Sequence, residues 1–183
     1  MTELGSSPVP EPGDDDHRRV GERTPGLGAA PGGGADAPLL IVYADFECPF
    51  CAALHQRLGR MPITVVFRHF PVRSSHPRAW PTACAAEAAA LQGRFWEMHD
   101  SLLGDQAHLE DPHLWDRARA LGLDLDRFDS DRRRDDVRER VQRDFRSGVR
   151  AGVVTTPALF AWRGGAAARV HIDALEGHLN PGG

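Results

Sequence analysis

Two cysteines separated by two residues, Cys48-Pro49-Phe50-Cys51, constrain this chain more than any other feature. They follow a continuous apolar run, Leu39-Leu40-Ile41-Val42-Tyr43, which reads as a strand buried on both faces. They precede Ala52-Ala53-Leu54 through Leu58, which reads as a helix with Pro49 suited to its first turn. Ile63-Thr64-Val65-Val66-Phe67 is a second buried strand. Strand, helix and strand with short connections imply a parallel pair joined by a crossover helix. The cysteine pair therefore falls where a strand ends and a helix begins.

That placement has chemical consequences. At a helix start Cys48 meets unpaired backbone N–H groups and the positive end of the helix dipole, and both stabilise a thiolate. The thiolate is the species that attacks disulfides. Cys51 lies one turn further in, beneath the first sulfur, and is placed to resolve a mixed disulfide formed at Cys48. The competing reading is half of a zinc site. It requires two more ligands, and the sequence holds no second Cys-x-x-Cys and no His-x-x-x-His. Cys84, His55, His69 and His76 are the remaining donors, and redox chemistry with no metal and no bound cofactor is the better reading.

With three cysteines in 183 residues the chain is not a disulfide scaffold, and a hydrophobic content of 41% supports a packed core. Acidic residues outnumber basic ones 26 to 22, which argues against a chain-wide nucleic-acid surface. Every basic residue is arginine, so lysine-based catalysis is excluded. Residues 1–37 are rich in Pro, Gly, Asp and Ser without apolar periodicity, and are expected to form a disordered tail. The segment Met1 to Arg23 lacks a basic stretch followed by an apolar one, so no secretory signal is expected. No apolar run reaches the ~20 residues that span a bilayer, and a soluble, cytoplasmic protein is expected.

From Pro77 to Gly152 the pattern is helical: Ala79 to Leu91, Phe95 to Leu103, Pro112 to Leu121, and about Asp131 to Val149. Asp136 with Arg140, and Glu139 with Arg143, supply i,i+4 pairs on the last helix. Arg132-Arg133-Arg134 is flanked by acids and reads as a solvated helix face rather than an anion site. Strand signals return at Ala158 to Trp162 and Ala168 to Ile172, with a closing helix over Asp173 to Leu179. Neither strand-bearing part makes a sheet alone. Residues 38–75 and 153–180 should combine into one α/β unit, with 76–152 as a helical insertion.

Asp45-Phe46-Glu47-Cys48-Pro49-Phe50-Cys51, followed by Arg68-His69-Phe70-Pro71, resembles the DsbA-like branch of the thioredoxin superfamily. Phe95-Trp96-Glu97-Met98-His99-Asp100 and Thr156-Pro157 extend the resemblance across roughly residues 36–180. It implies an α/β thioredoxin fold with an inserted all-helical domain, and thiol–disulfide exchange with cysteine-containing protein substrates. It further implies that Pro157 is cis and packs beside Cys48 and Cys51. A cis proline exposes the backbone of the residue before it, so Thr156 would pair with an extended substrate chain, beside Pro49 and Phe50.

The departures are also informative. Relatives carry a buried acid six residues before the first cysteine, where this chain has Val42. Asp45 and Glu47 are nearer in sequence but are expected to point elsewhere. Glu47 beside Cys48 would oppose a thiolate, and the Pro-Phe dipeptide lacks the histidine of the most oxidising relatives. A Cys48 pKa in the upper part of the ~3.5–7.5 range of activated cysteines follows. The matching reduction potential is intermediate, on the order of −200 mV. Cys84 reads as a small buried apolar residue, and His76 as bordering either the site or a helix start. Trp80, Phe95, Trp96, Trp115 and Phe128 read as packing residues, and His108 and His113 as exposed. An isomerase or glutathione-dependent transferase on the same fold is an alternative, as is a chaperone-like client-binding domain. The partners expected are cysteine-containing proteins and a thiol redox partner, with no nucleic acid and no membrane; the chain is expected to be a monomer.

Overall fold

The structure, a computed structural model, describes residues 9–20, 39–61, 63–163 and 165–175. Its elements in chain order are β1 (His17–Val20), β2 (Leu39–Ala44), α1 (Pro49–Leu58), β3 (Thr64–His69) and α2 (Ala79–Ala90). They continue with α3 (Phe95–Gly104), α4 (Asp111–Ala120), α5 (Leu125–Asp131), α6 (Asp135–Arg150), β4 (Ala158–Arg163) and β5 (Ala166–Val170).

The strands form one sheet in the order β1-β3-β2-β4-β5. β2 and β3 are parallel across α1, with Val42 opposite Phe67, while β4 runs antiparallel to β2 and β5 antiparallel to β4. This is an α/β thioredoxin fold with helices α2 to α6 inserted between β3 and β4. Because strand side chains alternate between faces, β2 serves two cores. Leu40, Val42 and Ala44 join Leu54 of α1 and Met98 and Leu102 of α3. Ile41 and Tyr43 face Val66, Phe70 and Phe160 on the other side, with Phe145 of α6 packed against them. Apolar residues on both faces explain why β2 reads as an unbroken hydrophobic run.

Gly148 lets α6 approach the sheet. A Cβ there would lie 2.6 Å from Phe70 Cδ2 and 3.0 Å from Tyr43 Cδ1. The Tyr43 hydroxyl completes the contact with the Ser147 hydroxyl at 2.9 Å.

Three sequence expectations need correction. The first is the disordered tail: His17–Val20 is an edge strand antiparallel to β3, with His17 opposite Phe67. Its sequence is too polar to signal burial, but its polar groups find buried partners. Arg68, 3% exposed, holds Asp16 through Nη2 and Oδ2 at 2.9 Å and the Pro10 carbonyl at 3.0 Å. Trp96 Nε1 donates to the Arg18 carbonyl at 2.9 Å. The remainder of the expected tail lies outside the described residues.

Second, the last helix starts later than the expected Asp131: α6 spans Asp135–Arg150, and a separate helix that the sequence pattern did not mark, α5, precedes it. Asp124 caps α5 by accepting from the Arg127 N–H at 2.9 Å, and a turn at Arg132 to Arg134 separates it from α6. Third, the i,i+4 pairs differ from those expected. Asp136 pairs with Arg134 at 2.6 Å, whereas Arg140 and Arg143 reach back to Asp15. The arginine run is neutralised by its neighbours: Arg132 is buried between Asp111 and Asp129, and Arg133 also binds Asp129. After β5 a 3₁₀ turn spans Ile172–Ala174; the expected closing helix beyond Leu175 lies outside the described residues.

Candidate active site

Cys48 is the N-cap residue of α1, with extended backbone (φ −79°, ψ 120°) and Pro49 at the first helical position. The proline suits this position because its fixed φ is helical and its missing N–H has no partner there anyway. The Cys48 carbonyl accepts the first helical bond from the Cys51 N–H at 3.0 Å, which turns Cys51 inward beneath it. Both are free cysteines and both are buried, while Phe50 between them is 72% exposed.

When protonated, Cys48 donates to the carbonyl oxygen of Thr156, 3.4 Å from its sulfur, and the Thr156–Pro157 peptide bond is cis. The fold thus brings together Cys48, Cys51, Thr156 and Pro157 from opposite ends of the helical insertion. Val154, 82% exposed, adds a second apolar side chain on the loop leading to Thr156.

The two sulfurs are electrostatically unlike. The Cys51 thiol hydrogen-bonds the Cys48 sulfur, and with help from the Thr156 side chain and backbone N–H groups of Cys51 and Phe50 it overcomes burial. The Cys48 pKa falls to about 5. This is lower than the sequence predicts, because these donors do the work of the histidine missing from the dipeptide. Cys51 moves the opposite way: its hydrogen bond to Cys48 and its burial both favour the thiol, against the Asp45 N–H 3.5 Å from its sulfur.

The neighbouring acids do point elsewhere. Asp45 accepts from the backbone N–H groups of Glu47 and Val72 and from His76 Nδ1, each at 2.8 Å. It therefore shapes the loop that presents Cys48, and His76 borders the site. Glu47 is turned to Arg78, whose backbone N–H and Nε donate to it at 2.7 and 2.8 Å, so its charge is compensated. Gln106 was not read from the sequence. Its Nε2 donates to the carbonyls of Phe46 and Cys48 at 2.8 and 2.9 Å, tying the helical insertion to the cysteine loop. No sequence signal distinguishes it from a surface glutamine.

Val42 is 3% exposed and offers no proton acceptor where relatives place an acid. A cavity of about 60 Å³ lies here, with Val42, Cys51, His55, Trp96 and His99 in its wall. Cys84 is buried between α2 and α6 with Ala83, Val137 and Val141, and burial raises its pKa to about 11, as suits an inert packing thiol. Phe95 and Phe128 are also buried, while Trp115 is 39% exposed. The rings of His108 and His113 meet edge to face, with centres 4.6 Å apart.

Two groups among the described residues bring three potential metal ligands together: His17, His69 and Glu87, and His55, His99 and Asp100. Neither contains a cysteine. In the first, Glu87 accepts from His17 Nε2 and His69 Nε2, both at 2.7 Å, so hydrogen bonding alone accounts for the cluster.

A buried strand ending in a helix-capping cysteine pair opposite a cis proline defines the thioredoxin class of fold. A family model described as Thioredoxin matches residues 30–176, and the chain belongs to that thioredoxin family. Within it, the fold is that of DsbA-like proteins. The thiol-disulfide exchange protein alpha-DsbA2 from Wolbachia pipientis superposes with a TM-score of 0.67 at 18% identity, over 82% of this chain and 84% of that one. The MdbA thiol-disulfide oxidoreductase from Corynebacterium diphtheriae superposes with 0.61 at 21% identity, over 83% and 86%.

Curated relatives carry a different name. Na(+)/H(+) antiporter NhaA 1 of Mycolicibacterium gilvum is 42% identical over 137 residues, covering 70% of this chain and 22% of that protein. The antiporter NhaA of Herminiimonas arsenicoxydans is 40% identical over 156 residues, 79% of this chain and 24% of that protein. The chain thus spans about a fifth to a quarter of the length of these relatives. Among the described residues no helix is long and apolar enough to cross a membrane.

Proposed function

We propose that this chain is a thiol–disulfide oxidoreductase that exchanges disulfides with protein cysteines through Cys48 and Cys51. The observation that carries this reading is the asymmetry of the pair. Cys48 caps α1 with its pKa lowered to about 5, while Cys51 one turn below is held as the thiol. A nucleophile must be a thiolate, and a resolving thiol must wait until the mixed disulfide forms.

In the reducing direction, the Cys48 thiolate attacks one sulfur of a substrate disulfide and expels the other as a thiolate. Cys51 then attacks Cys48, the substrate leaves with both sulfurs reduced, and the pair is left as a disulfide. The reverse sequence donates a disulfide. Thr156 offers an extended substrate a backbone edge next to Cys48. Phe50 and Val154 add apolar surface, an arrangement that suits an unfolded peptide containing cysteine. The chain acts without a cofactor, as a monomer, with a separate thiol partner to reset the pair.

The test is equilibration of the Cys48–Cys51 couple in glutathione redox buffers, with Cys84→Ala simplifying the thiol count. Insulin disulfide reduction is measured alongside. A two-electron midpoint with turnover that disappears in Cys48→Ser supports the reading; turnover that survives Cys48→Ser overturns it. A midpoint near −250 mV or below fits a reductase of a reducing compartment such as the cytoplasm, and one at about −180 mV or above fits a disulfide donor.

A further inference from the structure

Exchange through this pair requires Cys51 to lose a proton in a buried place. Val42 cannot accept it, and the carboxylates of Asp45 and Glu47 are engaged elsewhere. Among the described residues lining the cavity beside Cys51, the titratable groups are Arg19, Cys51 itself, His55 and His99. The cavity, about 60 Å³, exceeds the ~10–15 Å³ that one water occupies.

The two imidazoles are not equivalent. His99 is 6% exposed and its Nδ1 donates to Asp100 Oδ1 at 2.9 Å. Burial holds its pKa down to about 4, which makes it a poor acceptor with no outlet to solvent. His55 follows Cys51 by four residues on α1, so the two share one helix face. Helical side chains lean toward the N-terminus, which carries the ring of His55 over the turn that holds Cys51. Its Nε2 lies 3.8 Å from Asp100 Oδ1, and its side chain is 23% exposed. Asp100 is anchored in turn by Arg19 of β1.

We propose that His55 accepts the Cys51 proton through the cavity as the mixed disulfide is resolved, with Asp100 positioning it and stabilising the imidazolium. This deepens the thiol–disulfide reading and rests on it. With Nε2 turned toward Asp100, Nδ1 supplies the lone pair. The proton passes from Cys51 Sγ to His55 Nδ1 by way of cavity water. The Cys51 thiolate attacks Cys48 Sγ, the Cys48–substrate bond breaks, and the substrate sulfur departs as a thiolate. Two electrons have moved from the cysteine pair to the substrate disulfide, and His55 returns its proton to solvent along its exposed edge.

Formation of the mixed disulfide favours this transfer, because it removes the Cys48 thiolate whose hydrogen bond is the chief reason Cys51 resists ionisation. Burial lowers the His55 pKa against the pull of Asp100, with Arg19 adding to the lowering, so the imidazole is neutral and able to accept at neutral pH.

The test mixes reduced protein carrying Cys84→Ala with oxidised glutathione, quenches with acid, and resolves by mass the glutathione adduct at Cys48 and the Cys48–Cys51 disulfide. In His55→Asn the adduct should form at the unaltered rate and accumulate, with resolution slowed on the order of 10²-fold at pH 7. Resolution in this variant should rise with hydroxide across the range where the parent is flat, and added imidazole should restore it in part. Asp100→Asn should slow the same step less. Unchanged resolution and an unchanged pH profile in His55→Asn overturn the role of His55 alone. If no adduct forms at Cys48 even in the parent, the thiol–disulfide reading itself fails.

Discussion

The sulfur of Cys48 and the carbonyl oxygen of Thr156 lie 3.4 Å apart although 108 residues separate them in the chain. All five helices of the insertion, α2 to α6, fall within that separation. The cysteine pair and the backbone that faces it are therefore brought together by the sheet, in which β2 leads to the cysteine loop and β4 follows Pro157 and pairs with β2.

Cys48 should titrate at about 5, measured by thiolate absorbance near 240 nm or by the pH dependence of alkylation. An ordinary cysteine titrates near 8.5, so at pH 7 Cys48 should be about 99% thiolate while Cys51 and Cys84 remain thiols. The linkage has a definite sign. A depressed thiol pKa stabilises the reduced fold fully above the unfolded value and loses that contribution as pH falls through about 5. The stability of the reduced form relative to Cys48→Ser should therefore grow between pH 5 and 8; a difference independent of pH contradicts the assignment.

Glu87 gives the fold a second pH dependence. Burial alone would raise its pKa, but the hydrogen bonds from His17 and His69 reverse this and hold it well below the usual carboxylate range. In the unfolded chain a glutamate titrates near 4.3. Below that pH the unfolded state binds the extra proton, so the contribution is complete above about pH 5 and shrinks in more acidic solution. Glu87→Gln should be less stable than the parent at pH 6, and urea midpoints should converge toward pH 3. A gap that stays constant contradicts the prediction.

Asp16→Ala should cost about 3 kcal/mol, because it leaves the buried Arg68 guanidinium without its carboxylate. Hydrogen exchange along β1 should accelerate with it. A loss under about 1 kcal/mol, in the range of surface ion pairs, means that β1 is held without this pair.

Gly148→Ala should destabilise by about 1–3 kcal/mol, since the added methyl meets the Phe70 ring and Tyr43. Gly104→Ala is the control, with nothing within 4 Å of its added Cβ, and should be neutral or stabilising by up to about 1 kcal/mol. Equal effects of the two substitutions in urea unfolding contradict the packing argument.

The sequence by itself determined what short-range chemistry decides. Apolar runs marked β2, β3 and β4, the Pro49 position marked the start of α1, and the spacing of Cys48 and Cys51 marked the candidate site. The resemblance carried by Thr156-Pro157 extended this to the residue opposite. Only the tertiary structure decided the rest, because the rest consists of partners distant in the chain. The segment 16–20 looks like part of a polar tail until buried Arg68 and Glu87 and half-buried Trp96 supply partners for Asp16, His17 and the Arg18 carbonyl. Gln106 is an unremarkable polar residue until it meets the carbonyls of Phe46 and Cys48. His55 is one more polar residue on an amphipathic helix until α3 brings His99 and Asp100 against it and encloses a cavity beside Cys51. Periodicity records which residues turn inward; which polar groups then meet depends on how helices and strands far apart in sequence are packed.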